Sequence, residues 1–508
     1  MSSRVRQLIS SVFGTSSIKS DNFQRVNGSR RLTEAEVNDG SSTSSQLFSG
    51  TSDTSAESTA YPYTRPTFLF MDSEQVKQSR DQTKRPAVIP NDINKIPIKA
   101  GYAEVINAGK SLNNEDQAVA VRCVISRHIN MVPTNPSCNS IERNGANNSE
   151  KNSTAAEESK NKLEFTYFGI FDGHGGYGTA VMASQNLHIY LMKHLTKLLD
   201  LGMLSKKVHS SYHNITINDL IIGALETTFF EMDDLIYQER HLCPNAGGCT
   251  ALVSVLLDDK LYVAQAGDSR AVIIRKNDIV CMSQEFTPDT ERQRIQQLAL
   301  DNPSLLQKEF SPSQFSRNIW KKDLGKQVLR RTGYMKGWSP KVITCDDIKP
   351  PLICGDGKQA CLMGTIRVSR GFGDHDLYVM SSNIHLKPFL SCVPEVRVYD
   401  LNDSEMSDND ILLMGSDGFW DFVSNEEAAE YVRKRMFELE QTDDKLVTIS
   451  KELVLKARGE SSSDYAWKRN SKQLGSYDDI TVFVIPLGQY MQERSANVTP
   501  QTDEVTAL

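Results

Sequence analysis

Phe168-Gly169-Ile170-Phe171-Asp172-Gly173-His174-Gly175-Gly176 is the stretch on which the reading of this chain turns. Its apolar start predicts a short buried β-strand, and it ends in a carboxylate, an imidazole and glycines. Glycine lets the backbone turn sharply and pass close to a ligand, so the strand end can deliver Asp172 and His174 to one point. A carboxylate at a strand terminus is a natural ligand for a hard cation, and a histidine two residues on can move a proton beside it. Taken alone, the same residues also fit a Gly-rich turn whose polar groups face water. What separates the two readings is the recurrence of carboxylates at the ends of other apolar runs.

Composition bounds the answer first. The chain has 508 residues and a net charge of −7. Its length allows two or three domains, or one enlarged domain with insertions. Its apolar and charged fractions are those of a soluble globular protein with a sizeable core. A mild negative charge without a long basic run argues against a nucleic-acid partner. Nine cysteines without a CxxC pair argue against a disulfide framework or a thiolate zinc site, and for a reducing compartment. No apolar run approaches the ~20 residues of a transmembrane helix, and no secretory signal is recognisable. A cytoplasmic location is expected, with the nucleus left open.

Residues 1–14 carry Val5, Leu8, Ile9, Val12 and Phe13 at helical spacing beside Arg4 and Arg6. That pattern fits a short amphipathic helix on the cytosolic face of an anionic membrane, and equally a solvated terminus with chance apolar residues. The rest of 1–60 is rich in Ser, Thr, Asn and Asp and reads as disorder. One folded domain is expected over 61–486, starting at the aromatics Tyr61, Tyr63, Phe68 and Phe70, with insertions at 134–160 and 288–360. Helical periodicity covers Val181 to Leu199, a second helix carries Ile221, Leu225, Phe229, Met232 and Ile236, and a third spans about 425–439. Short apolar runs at Ala251–Leu257, Leu261–Ala266, Ala271–Ile274 and Ile279–Met282, joined by polar turns, predict an antiparallel meander. Strands are also expected at Ile411–Met414 and Ile480–Ile485, and a loose polar tail over 487–508.

Glu115-Asp116, Asp172, Asp374 and Asp417 end or flank apolar strands, and Asp268 and Asp479 are further candidates. Carboxylates gathered together repel one another unless cations neutralise them. Few basic residues stand at these strand ends, so a metal cluster is the economical arrangement. An all-oxygen donor set suits Mg²⁺ or Mn²⁺.

Five motifs then stand in order: Phe171-Asp172-Gly173-His174-Gly175-Gly176, Gly267-Asp268-Ser269-Arg270, Ser369-Arg370-Gly371-Phe372-Gly373-Asp374, Ser416-Asp417-Gly418-Phe419-Trp420-Asp421 and Asp478-Asp479-Ile480. Together they resemble the metal-dependent serine/threonine protein phosphatases of type 2C, over about 101–486. Gly101 to Lys110, Thr287 to Arg294 and Gly373-Asp374-His375-Asp376-Leu377 most resemble the H/J/M branch. The resemblance implies an α+β fold, a four-layer αββα sandwich of two antiparallel sheets flanked by helices, with a flap-like insertion. It implies two Mg²⁺ or Mn²⁺ ions per site and a third, weaker one. By position, Asp172 bridges the two ions, the Gly173 carbonyl completes a shell, and Asp374 and Asp417 hold the first ion. Glu115, with Asp116 beside it, approaches the second, Asp268 belongs to the looser third site, and Asp479 is a further ligand. A bridging water is then the nucleophile, and His174 protonates the departing serine or threonine oxygen of a phosphoprotein.

One position departs from that pattern. Where many members carry an arginine four residues before the glutamate, this chain has Ser111 with Lys110 beside it. Lysine is a point charge without the planar fork, and Lys110 is the candidate substitute for phosphate binding. The departure leaves a second reading in view, a phosphatase-like scaffold or regulatory module with little catalysis. A metal-dependent nuclease would also use clustered carboxylates, but lacks the basic stripe here.

Overall fold

The structure, a computed structural model, describes residues 61–127, 162–204, 215–243, 247–402, 406–461, 467–469 and 473–498. The expectations for 1–60, including the helix at 1–14, and for the insertion at 134–160 lie outside those residues.

Two five-stranded antiparallel sheets hold the described chain together. The first has the order β1 (Gly101–Val105), β10 (Ile480–Pro486), β9 (Ile411–Gly415), β6 (Arg270–Ile274), β7 (Ile279–Cys281). The second runs β8 (Glu395–Asp400), β5 (Lys260–Ala266), β4 (Ala251–Leu257), β3 (Lys162–Phe171), β2 (Gln117–Ser126). β4, β9 and β10 are buried at every position, so they read as unbroken apolar runs and not as alternation.

One core joins residues of both sheets: Phe168, Ile170, Leu252 and Val263 from the second, and Tyr102, Ile273, Leu412, Met414 and Phe483 from the first. Phe68 and Leu69 of the entering segment are buried in it, Phe68 edge-on to Tyr102 at 4.8 Å. Truncating a buried aromatic such as Phe483 to alanine costs about 3–5 kcal/mol at a site of this kind. The opposite face of the first sheet, with Val105, Leu413 and Val482, buries against α5 (Asp417–Trp420), α6 (Asn425–Glu438) and α7 (Lys445–Arg458). α2 (Gly178–Asp200) lies on β2 and β3 and against α3 (Ile217–Glu239). α3 opens on a reciprocal capping box between Thr216 and Asp219, as does the short α1 (Ser73–Ser79) between Asp72 and Gln75.

Two expectations are corrected. The meander over 251–282 is two hairpins in different sheets: β4–β5 belongs to the second, β6–β7 to the first, and the chain crosses at Gly267-Asp268-Ser269. Apolar periodicity locates strands and turns but carries no information on which sheet a hairpin joins. The tail after Pro486 begins as a helix, α8 (Leu487–Val498), which buries Leu487 and Tyr490 in the core shared by the sheets. Its apolar residues, Leu487, Tyr490 and Met491, occur at helical spacing inside a polar composition. The insertion at 288–360 carries regular elements and a core of its own. α4 (Arg292–Asp301) contributes Ile295 and Ala299 to a separate core with Leu352, Leu362 and Phe389, and Gln314–Phe315, Gln327–Arg331 and Ser339–Val342 pair antiparallel.

The register decides what meets what. Gly415, the last residue of β9, faces Arg270 and Val482. Asp417, Asp268 and Asp478-Asp479 therefore share one end of the first sheet. Phe171 faces Gln117, so Asp172 and Asp116 share one end of the second. Those ends meet, for the Asp417 N–H points at Asp172 Oδ2 at 3.4 Å.

Candidate active site

A small antiparallel sheet of Gly173–His174, Gly248–Cys249 and Phe372–Gly373 sets the histidine. Gly248 is opposite both His174 and Gly373, which brings His174 Nε2 to 2.7 Å from Asp374 Oδ2. A Cβ on Gly248 would run into both of those atoms, so only glycine leaves room for the pair. Burial alone disfavours the imidazolium, but the hydrogen bond and charge of Asp374, with Asp268 and Glu115 beyond, raise His174 above its ordinary value. Asp374 itself holds φ +55°, a left-handed conformation that L-residues avoid.

Asp172, Asp268 and Asp417 keep some accessible surface, as groups on the floor of an open site do. Surrounding protein nevertheless desolvates them. Burial, then Asp417, Asp116, Asp268 and Asp478, push the Asp172 carboxyl well above the usual range. Burial, then Asp417, Glu285 and Asp421, do the same to Asp268. Asp417 is pushed up to about 6 by burial and by Asp478 and Asp421. Asp116 is fully buried and raised by burial and by Asp479 against the Thr481 and Ser416 hydroxyls; neither of its oxygens has a formed hydrogen bond. Glu115, half-buried, is raised by burial and by Asp478 against the opposing charge of Lys110. The Glu115 carbonyl packs directly on Gly173, which couples the start of β2 to the end of β3.

Cations are few around these carboxylates. Lys110 Nζ lies 2.6 Å from Asp478 Oδ1, and Lys358 Nζ is 2.5 Å from Asp421 Oδ1 and 3.0 Å from Glu285 Oε1. The buried guanidinium of Arg458 donates to the carbonyls of Ile106 and Asp478, and that of Arg85 to the carbonyl of Ser111. Ser111, at the departure noted above, belongs to a loop folded on Asn107, whose Oδ1 accepts from the N–H groups of Lys110 and Ser111 at 2.9 Å each.

Two residues expected among the ligands also have partners within the chain. Asp374 is the partner of His174 and is absent from the charges that act most strongly on Asp172. Asp479 accepts from the Asn107 backbone at 2.8 Å, from its side-chain amide and from the Glu115 N–H at 3.3 Å, an anchoring role; burial pushes it to about 7. Asp478 and Asp421 also act on the group. Asp421 had a signal, standing four residues after Asp417 and so on the same helical face. Among the described residues no three His, Cys, Asp or Glu side chains close on a single point. The surplus of oxygen donors and the orphaned Asp116 oxygens fit hard divalent cations.

The protein phosphatase 2C family model matches residues 138–319 and 355–465. This chain belongs to that family. It is thereby a hydrolase, a metal-dependent serine/threonine protein phosphatase, with phosphoproteins as its substrates. Protein phosphatase 1H of Rattus norvegicus is 41% identical over 469 residues, covering 84% of this chain and 91% of that protein. Protein phosphatase 1H of Xenopus tropicalis is 41% identical over 470 residues, covering 84% and 92%. Protein phosphatase 1J of Rattus norvegicus is 40% identical over 456 residues, covering 85% and 86%. The break in the protein phosphatase 2C match, 320–354, falls within the insertion and takes in most of its three-stranded sheet.

Proposed function

We propose that this site hydrolyses phosphoserine and phosphothreonine in proteins with two Mg²⁺ or Mn²⁺ ions held by Asp172, the Gly173 carbonyl, Asp374, Asp417 and Glu115, with Asp116, Asp478 and Asp479 as further acidic groups around them. A third, weaker ion belongs near Asp268 and Asp421. The observation that carries this reading is the meeting of carboxylates from the ends of both sheets without enough cations to neutralise them. When bound, such ions supply an acidified water and offset charge on the phosphoryl oxygens.

The chain's own groups do the rest. Asp374 occupies Nε2 of His174 and favours its protonated form, leaving Nδ1 to give a proton to the departing serine or threonine oxygen. Lys110 binds a phosphate oxygen from the rim as a point charge. Asp479 and Asn107 keep the Lys110 loop and Glu115 in register. The core joining both sheets and the helices on their outer faces support a four-layer αββα reading, with 288–360 as a flap over the site. No helix among the described residues is long and apolar enough to cross a membrane. A cytosolic location, with 1–14 as a peripheral membrane contact, is part of the same proposal.

The test is hydrolysis of a phosphothreonine peptide with Mn²⁺, with EDTA, and by Asp172→Ala. Turnover that needs the ion and disappears in the variant supports the reading. A folded protein that binds Mn²⁺ yet turns over no more than the variant overturns it in favour of a binding scaffold.

A further inference from the structure

Asp233 stands on α3, outside the carboxylate group, yet the loop that carries Asp374 is fastened to it. Its Oδ1 accepts the Gly373 N–H at 2.9 Å and lies 3.1 Å from Nε2 of His375. The same imidazole nitrogen is 3.2 Å from the Asp233 carbonyl. Oδ2 accepts from Lys387 Nζ at 2.5 Å. The residues on both sides of Asp374 are thus bonded to one residue, and that residue is itself held by a lysine from a third segment. Asp233 is 7% exposed, so water does not compete for these bonds.

The loop needs such a fastening. Gly373 and Asp374 have φ values of +79° and +55°, and a non-glycine residue persists there only when its surroundings over-determine it. The Asp374 N–H to the Gly247 carbonyl, at 3.1 Å, is the other restraint on its backbone donor. Asp374 in turn has its Oδ2 on His174. An unbroken chain of bonds therefore runs from Lys387 through Asp233 and the Gly373–His375 loop to the imidazole. His375 and Lys387 hold the Asp233 carboxyl below its ordinary value in spite of its burial, so the acceptor is charged and the bonds are strong.

We propose that Asp233 is a positioning residue for proton transfer: by gripping Gly373 and His375 it keeps Asp374 on His174. This rests on the reading of His174 as the acid. The bland alternative is a buried ion pair that only stabilises the fold.

Leaving groups separate the two. A serine or threonine alkoxide needs a proton as it departs, whereas p-nitrophenolate does not. Asp233→Ala should lower kcat on a phosphothreonine peptide at least ~10-fold, a part of what general acid catalysis contributes, and leave p-nitrophenyl phosphate within about threefold. Asp233→Asn keeps an acceptor for Gly373 but loses the charge facing Lys387. It should show a smaller defect of the same kind, and it keeps the measurement open if the alanine variant does not fold. His174→Asn, run beside them, should show the asymmetry in full. Equal losses on both substrates in the Asp233 variants, or none on the peptide, overturn the proposal while His174→Asn still shows the asymmetry. Equal losses in His174→Asn overturn the acid assignment itself and the positioning role with it.

Discussion

The Lys110 ammonium lies 2.6 Å from Asp478 Oδ1, on the loop between β1 and β2 and against the carboxylate group. Both side chains are about half exposed, so this pair contributes only about 0–1 kcal/mol to stability. Its importance is positional: it stands one residue from Ser111, the departure from the family motif noted in the sequence.

Lys110→Ala should therefore raise KM for a phosphopeptide about tenfold, the loss of one charge-assisted hydrogen bond, with the melting temperature unchanged. Lys110→Arg, which adds a planar fork at the same place, should match or lower the wild-type KM. Steady-state kinetics on the three proteins decides this, and equal KM values across them would remove Lys110 from phosphate binding.

Stripped of divalent ions, the protein should be more stable at about pH 5 than at about pH 7.5. Unfolded aspartates titrate near 3.8, whereas burial and neighbouring charge push Asp417 up to about 6, and burial pushes Asp479 to about 7. Between those values the folded chain retains protons that the unfolded chain has released, so stability falls as pH rises. The contribution is fully present below the unfolded value and lost through about pH 6–7, and for Asp417 it is of order ~3 kcal/mol. His174, raised as well, acts in the same direction. Mn²⁺ should raise the melting temperature most at the higher pH, where the carboxylates are ionised. Calorimetry with EDTA and with Mn²⁺ at both pH values checks the sign; a metal-free melting temperature that climbs with pH would oppose it.

Gly248→Ala should fold yet lose about 10²-fold or more in turnover on a phosphothreonine peptide, and far less on p-nitrophenyl phosphate, because the new methyl group displaces both His174 Nε2 and Asp374 Oδ2. Its backbone is not in the left-handed region, so strain in the main chain is not the cause. Gly337→Ala, on the insertion with nothing within 4 Å of the added carbon, is the matched control and should keep full activity. Comparable turnover by the two variants would mean that the His174–Asp374 contact is not needed.

The elements that the sequence displays are those whose burial is one-dimensional. β4, β9 and β10 are near-continuous apolar runs, β3 ends in one, and α2 and α3 carry their apolar residues at helical spacing. α7 was not anticipated, although Leu446, Ile449, Leu453, Val454 and Ala457 are buried on one face. It starts without a side-chain cap and follows an Asp- and Glu-rich stretch that obscures the pattern. α8 escaped for a related reason, its few apolar positions being diluted by polar neighbours. Arg370, inside one of the five motifs, has a structural partner that the motif does not name: its guanidinium is bidentate on buried Glu291, which Arg294 also grips.

By itself the sequence determined the strands, the order of the five motifs and the kind of chemistry, because apolar runs, glycines and carboxylates are properties of single residues and their neighbours. Which carboxylates face one another was decided only in three dimensions. Asp374 and Asp417 end similar motifs, yet the pairing of Phe372–Gly373 with Gly248–Cys249 turns Asp374 to His174. β9, set between β6 and β10, carries Asp417 toward Asp172, Asp268 and Asp478. Adjacent Asp478 and Asp479 divide in the same way, one toward the shared charge and one into the hydrogen bonds of Asn107. The physical reason is register. Strand pairing and the crossing at Gly267-Asp268-Ser269 set which ends coincide, and side-chain direction alternates from each residue to the next.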